Sequence, residues 1–173
     1  LDQAYQFDFY DGGGLDLAYL GLAECDEKGN INVSRFGPKI AGCGGFINIT
    51  QNTPKVFFCG TFTAGGLKVK VEDGKVVIAQ EGKQKKFIKQ VGQVTFNGDI
   101  ANQNGQEIMY ITERCVFLLK EDGLHLSEIA PGIDLQTQIL DMMEFEPKID
   151  RVNGEIKLMD ARIFSDELMG LKG

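Results

Sequence analysis

Gly42-Cys43-Gly44-Gly45-Phe46 runs on through Ile47-Asn48-Ile49-Thr50-Gln51-Asn52 to Pro54, and then into Lys55-Val56-Phe57-Phe58-Cys59-Gly60. The fold class turns on this stretch. The segment from Gly45 to Asn52 has an ambiguous periodicity, but its place between a glycine turn and a proline suits a helix of two turns. Lys55 to Gly60 reads as a buried strand. Glycine loop, short helix and apolar strand in that order form the unit from which α/β domains are built. The loop then sits at a helix amino terminus, where free N–H groups and a partial positive charge can hold an anion or stabilise one formed during a reaction. By pattern alone the same run also fits a plain tight turn before a helix.

Toward the amino end, Phe7 to Tyr10 reads as a strand closed by the turn Asp11-Gly12-Gly13-Gly14. Leu15 to Ala23 is nearly continuous in apolar character, as expected of a strand covered on both faces. Asp26 to Asn30 is a hairpin-type turn into Ile31 to Ser34. Toward the carboxyl end, Lys68 to Glu72 alternates with period two, Asp73-Gly74 turns, and Lys75 to Ala79 returns, which describes a hairpin with one wet face. Phe87 to Phe96, Glu107 to Ile111, Arg114 to Lys120 and Leu124 to Ile129 are further strand candidates. Leu135 to Met143 fits a helix capped by Asp134 and stopped by Pro147. The apolar residues Ile156, Leu158, Met159 and Ile163 suit a tail that docks on the body or on a partner segment.

The chain of 173 residues, 43% hydrophobic, is sized for one domain, 1–173. A net charge of −7 argues against a nucleic-acid partner, since phosphate binding needs clustered Lys and Arg. The one basic run, Lys83-Gln84-Lys85-Lys86, reads as a solvated turn. No stretch approaches the roughly 18 to 20 apolar residues that cross a bilayer, and no signal peptide is apparent at the start, so no membrane is expected and a cytoplasmic location is the default. The start at Leu1, without an initiator methionine and close to a strand-like run, is that expected of a fragment. Cys25, Cys43, Cys59 and Cys115 form no C-x-x-C pair, so no metal is expected, and Cys59 and Cys115 read as small buried hydrophobes. His125, the single histidine, makes a Ser-His or Cys-His triad improbable.

FDFYDGGGLDLAYLGLAECDEKGNINVSRFG, then AGCGGFINIT, KVFFCGTFTAGG, YITERCVFLL and EIAPGIDLQTQIL resemble, in the expected order, the carboxy-terminal part of family I coenzyme A transferases, in particular the propionate or acetate branch. The resemblance implies an α/β fold with a mixed, mainly parallel sheet, flanking helices and β-hairpins. It implies transfer of CoA from a short-chain acyl-CoA to a free carboxylate such as acetate or propionate, through a glutamyl-CoA thioester, with CoA as substrate and no permanent cofactor. Gly42, Gly44 and Gly45 would lie on the oxyanion and CoA-binding side of the pocket. Cys43 would then be a packing residue. The reactive glutamate is expected before Leu1, in an amino-terminal part of the same enzyme, so the chain alone would be inactive; the family also implies a homo-oligomer.

Glu24 and Glu113 lack the glycine context of that nucleophile and read as solvated or ion-paired. Asn48 either meets substrate or caps its helix. The Asp11–Gly14 turn is read as structural. An acyl-CoA hydrolase on the same scaffold and a non-catalytic module that binds CoA or a nucleotide are the alternatives.

Overall fold

The computed structural model describes residues 1–171. Its main sheet has seven strands: β1 (Leu17–Gly21), β2 (Lys55–Cys59), β3 (Glu107–Ile111), β4 (Cys115–Lys120), β5 (Gly123–Ile129), β6 (Lys148–Ile149) and β7 (Lys157–Leu158). The order is β1-β2-β3-β4-β5-β6, with β7 also on β5. Strands β1, β2 and β3 run parallel, β3-β4-β5 is an antiparallel meander, and β6 and β7 pair in parallel with β5. The sheet is therefore mixed and mainly parallel, as the resemblance implied, with short flanking helices and separate hairpins.

Side-chain alternation builds the core. Val56 and Phe58 on β2, Ile108 and Tyr110 on β3, and Phe117 on β4 all point to one face and are buried. Phe62, Phe87 and Phe117 stack beside them, with centroids 4.8 Å apart for Phe62–Phe87 and 5.0 Å for Phe87–Phe117. Each such side chain contributes about 1.5 to 3 kcal/mol on burial. A second, smaller cluster joins Val76 of the hairpin Lys68–Glu72/Lys75–Gln80 to Val116, Ala130, Met159 and Phe164. The carboxyl tail thus docks on the body, as its apolar pattern suggested, through Met159 and Phe164.

Several local expectations change. Residues Phe7 to Tyr10 lie in helix α1 (Gln3–Asp11) and not in a strand. A strand needs a ladder partner, and none pairs with this segment, whereas the glycines suit a helix end: Gly12 and Gly14 N–H donate to the carbonyls of Asp8 and Phe9 at 2.9 Å, with Gly13 at φ 79°. The Asp11–Gly14 turn is structural, but it joins a helix to β1. That strand is shorter than Leu15 to Ala23 and lies at the sheet edge with Leu17 and Tyr19 exposed, so its apolar run is not covered on both faces. Phe87 to Phe96 forms no strand. Its ends form single bridges, Phe87 to Cys25 and Phe96 to Ile31, and both phenyl rings are buried.

Helix α2 (Phe46–Gln51) is the expected short helix, one residue inside each predicted end. Helix α3 (Gly98–Gln103) follows, capped by Asn97, which accepts the Ile100 N–H. The expected helix from Leu135 divides into α4 (Leu135–Gln138), capped by Asp134, and a 3-10 turn at Leu140–Met142. The turn at Asp26 to Asn30 is organised by the Asp26 carboxylate, which accepts N–H groups of Lys28 and Asn30 at 3.1 Å and of Val91 at 3.3 Å. No helix among the described residues is long and apolar enough to cross a membrane.

Candidate functional site

Helix α2 ends three residues before β2 begins, at the amino ends of the parallel strands. Its amino terminus and the glycine loop therefore face the carboxyl ends of β1 and β2, the side on which open α/β sheets place ligands. The loop hangs from Ser34, whose carbonyl accepts the N–H groups of Ala41 at 2.8 Å and Gly42 at 3.1 Å. Phe46 N–H closes a turn on Cys43 O at 3.1 Å. None of these bonds uses the N–H of Gly44 or Gly45, and no side chain caps α2. The N–H groups of Gly44 and Gly45 are thus without a hydrogen-bond partner among the described residues.

The glycines differ in why they are glycine. Gly42 at φ 83° and Gly44 at φ 52° occupy the left-handed region, with open space where a Cβ would project. Gly45 has an ordinary φ of −86°, but a Cβ there would fall 2.7 Å from the Phe7 ring of α1. The structure thus packs α1 directly on the loop. Asn48 strengthens that junction, since its Nδ2 donates to both Asp11 carboxylate oxygens at 3.0 and 3.1 Å, and Asn52 Nδ2 donates to Asp11 O at 2.6 Å. Its amide nitrogen is neither a helix cap nor free. Cys43 is half-buried beside the loop.

A groove of about 820 Å³ opens beyond the end of β1, and Gly42, Gly44 and Gly45 are not among its lining residues. Leu22 and Glu24 line it just beyond β1, and Phe36 and Gly37 belong to the segment that continues into the glycine loop. Its basic members come from the Lys83–Lys86 run, which is exposed as expected from Lys83 to Lys85 but not at Lys86. Lys86 is only 8% exposed and its Nζ donates to Thr61 O at 2.6 Å. Lys85 Nζ is held by the carbonyls of Asp141 and Met143 at 2.9 and 3.0 Å. The signal that sequence reasoning missed is that Lys86 directly precedes the buried Phe87, so the run anchors against the core at that end.

The carboxylates are accounted for by pairing. Glu113 Oε2 accepts the Phe62 N–H at 2.8 Å and its Oε1 accepts Arg114 Nε at 2.6 Å. Arg114 is wholly buried and also donates to Glu81. Glu24 accepts from Asn32 Nδ2 at 2.7 Å. His125 lies between Asp150 and Asp122, 2.9 Å from the first and 2.8 Å from the second, away from any nucleophile that would make a triad. Cys25 and Cys115 are fully buried, and burial pushes both thiols well above their ordinary pKa. Cys59 departs from expectation: it points away from the core at the end of β2 and is exposed. No cluster of metal-ligating side chains occurs among the described residues.

The described residues thus form an open, mainly parallel sheet with a glycine loop ahead of a short helix and a groove beyond β1. Comparison with known proteins makes this specific. No protein-family model matches the chain. It is 56% identical to acetate CoA-transferase YdiF of Escherichia coli over 170 residues, covering 98% of this chain and 32% of that protein. It is 53% identical to caffeate CoA-transferase of Acetobacterium woodii over 176 residues, covering 99% of this chain and 33% of the relative. The crystal structure of Escherichia coli YdiF as a thioester complex with CoA superposes with a TM-score of 0.95 at 56% identity, covering 99% of this chain and 33% of that one. Along nearly its whole length the chain resembles CoA-transferases, and it spans about a third of the length of the curated relatives it matches.

Proposed function

We propose that this chain is the carboxy-terminal part, a single domain, of a CoA-transferase that moves CoA from a short-chain acyl-CoA to a free carboxylate such as acetate or propionate. The observation that carries this reading is the glycine loop in a chain 56% identical to an acetate CoA-transferase: two backbone donors left unengaged at the strand ends. Tetrahedral intermediates of acyl transfer carry an oxyanion, and a donor aimed at that oxygen is worth about 3 to 4 kcal/mol of transition-state stabilisation.

In this reading Gly44 and Gly45 present N–H groups to the oxyanion, and Gly42 gives the loop its turn away from Ser34. Asn48 meets substrate through its carbonyl oxygen, since its amide nitrogen is held by Asp11. A glutamate outside this chain attacks the donor thioester to give a mixed anhydride and CoA thiolate; the thiolate attacks the glutamyl carbonyl, giving a glutamyl-CoA thioester and releasing the donor acid as a free carboxylate, and the acceptor carboxylate then runs the steps in reverse. Glu24 and Glu113 are each engaged with neighbours inside the chain, which supports placing the nucleophile elsewhere. The whole enzyme is a cytoplasmic homo-oligomer in this proposal, with CoA as substrate and no bound metal.

The test is a ping-pong assay between acetyl-CoA and propionate on the longer polypeptide that carries this domain. The expected result is exchange that requires the carboxylate acceptor and that stops when the upstream glutamate is changed to glutamine. Release of CoA to water at the same rate without acceptor would instead identify a hydrolase.

A further inference from the structure

Lys86 is a buried ammonium with too few partners. Lysine is almost never this buried unless its charge is paired. Yet Nζ, with three protons to donate, has one hydrogen bond, to Thr61 O, and makes no ion pair among the described residues. The nearby Glu113 offsets part of this charge without a hydrogen bond to Nζ, its oxygens accepting from Phe62 N–H and Arg114. Lys86 is among the residues that line the groove, and the absence of a side chain at Gly60 makes room for its Nζ, since a Cβ there would lie 3.1 Å away.

We propose that Lys86 binds a carboxylate in this groove, namely that of the free acid which accepts CoA; this rests on the transferase reading above. Two unused donors match the two oxygens of a carboxylate. The lining carries three ammonium groups, Lys83, Lys85 and Lys86, against the carboxylates of Glu24 and Glu144, which leaves one net positive charge. One positive charge suits a monoanion. The several phosphate charges of CoA would meet two carboxylates in the same groove. Leu22 and Phe36 supply apolar wall for the hydrocarbon part of the acid. Burial holds the Lys86 pKa below the usual lysine value against the opposing pull of Glu113, and a bound carboxylate adds a second counter-charge.

The direct test uses the longer transferase, with the Lys86 signal identified by its loss in Lys86→Met. Lysine ε-methylene signals are followed by NMR while sodium acetate, sodium chloride or CoA is added at matched ionic strength. A saturable shift of Lys86 with acetate, absent with chloride, is the expected result. No saturable shift with acetate overturns the proposal; saturation by CoA in its place reassigns the anion to a phosphate and overturns it equally. In the longer transferase, Lys86→Met should raise KM for the acceptor acid by about 10- to 100-fold. Single-turnover formation of the enzyme thioester from acyl-CoA should be unchanged, and Lys86→Arg should recover part of the acceptor affinity. Equal losses in both half-reactions would show a structural role and sink the assignment. A wild-type enzyme with no transfer activity would remove the transferase reading, whereas the acetate titration would still decide whether Lys86 holds a carboxylate.

Discussion

Arg114 sits with its guanidinium carbon 4.8 Å above the centroid of the Phe62 ring, wholly buried, while Glu81 and Glu113 take its N–H groups at 2.8 and 2.6 Å. This stack ties the turn between β3 and β4 to the end of the Lys68–Gln80 hairpin, and a further bond to Gln138 O brings in α4. Three parts of the chain that are distant in sequence share one charge.

Removing that charge strands two carboxylates. Arg114→Leu should cost about 3 to 5 kcal/mol in urea unfolding, since breaking a buried pair leaves its partners uncompensated. Replacing only Glu81 by Gln should cost less, because Glu113 and the phenyl ring still face the guanidinium. A loss below about 1 kcal/mol for Arg114→Leu would show that the stack is energetically idle.

Acid should weaken the fold through the same cluster. Burial alone would raise the Glu81 pKa, but hydrogen bonds from Arg114, Thr63 and Gly82 N–H hold it below the ordinary value. Asp150 is similar, burial being outweighed by Lys120 and His125. Both groups have folded pKa values below their unfolded values of about 4. Between the two the unfolded chain binds more protons, so stability rises with pH. This contribution is complete above the unfolded value and is lost as pH falls through the folded one. Urea midpoints from pH 7 down to pH 3 should therefore drop below about pH 4 to 5, with a smaller drop in Glu81→Gln. A midpoint that stays level across that window would contradict the assignment.

At the glycine loop, two substitutions separate backbone strain from packing. Gly44→Ala meets no neighbour and should destabilise by about 1 kcal/mol through its left-handed φ alone. Gly45→Ala has no such strain, but its methyl would collide with Phe7, so α1 must shift; loss of the Phe7 contacts in NMR should report it. In the longer transferase Gly44→Ala should lower kcat by about 10²-fold if the loop donors meet the oxyanion. Unchanged kcat would move the oxyanion site elsewhere.

Two further positions probe close approach in the core. Tyr110→Phe removes the hydroxyl that donates to Gly29 O at 2.6 Å, leaving a buried carbonyl unsatisfied at a cost of about 1 to 3 kcal/mol. Gly98→Ala would place a Cβ 2.0 Å from Lys28 O, a backbone atom that cannot swing aside. Its cost should reach or exceed about 3 kcal/mol by thermal unfolding.

Much of this was legible in the residues themselves. Helix α2, strands β2 to β5 and the Lys68–Gln80 hairpin have local patterns strong enough to be read, because alternation and turn chemistry act over a few neighbouring residues. Phe7 to Tyr10 misled for the opposite reason: aromatic residues favour strands only where a ladder and a face to cover exist, and that context is tertiary. The same holds for Phe87 to Phe96, where buried rings came without pairing.

At the glycine loop, the sequence by itself determined that a turn precedes a short helix and an apolar strand, since glycine adopts φ values such as those at Gly42 and Gly44 without steric cost. What only the tertiary structure decided is what the loop faces and what stands beside it. The parallel pairing of β1 with β2 turns the helix start toward the strand ends, and chain segments far apart in sequence bring Phe7 onto Gly45 and Lys86 beneath Gly60. Burial, and not proximity in the chain, converts a lysine in a basic run into a charge in need of a partner.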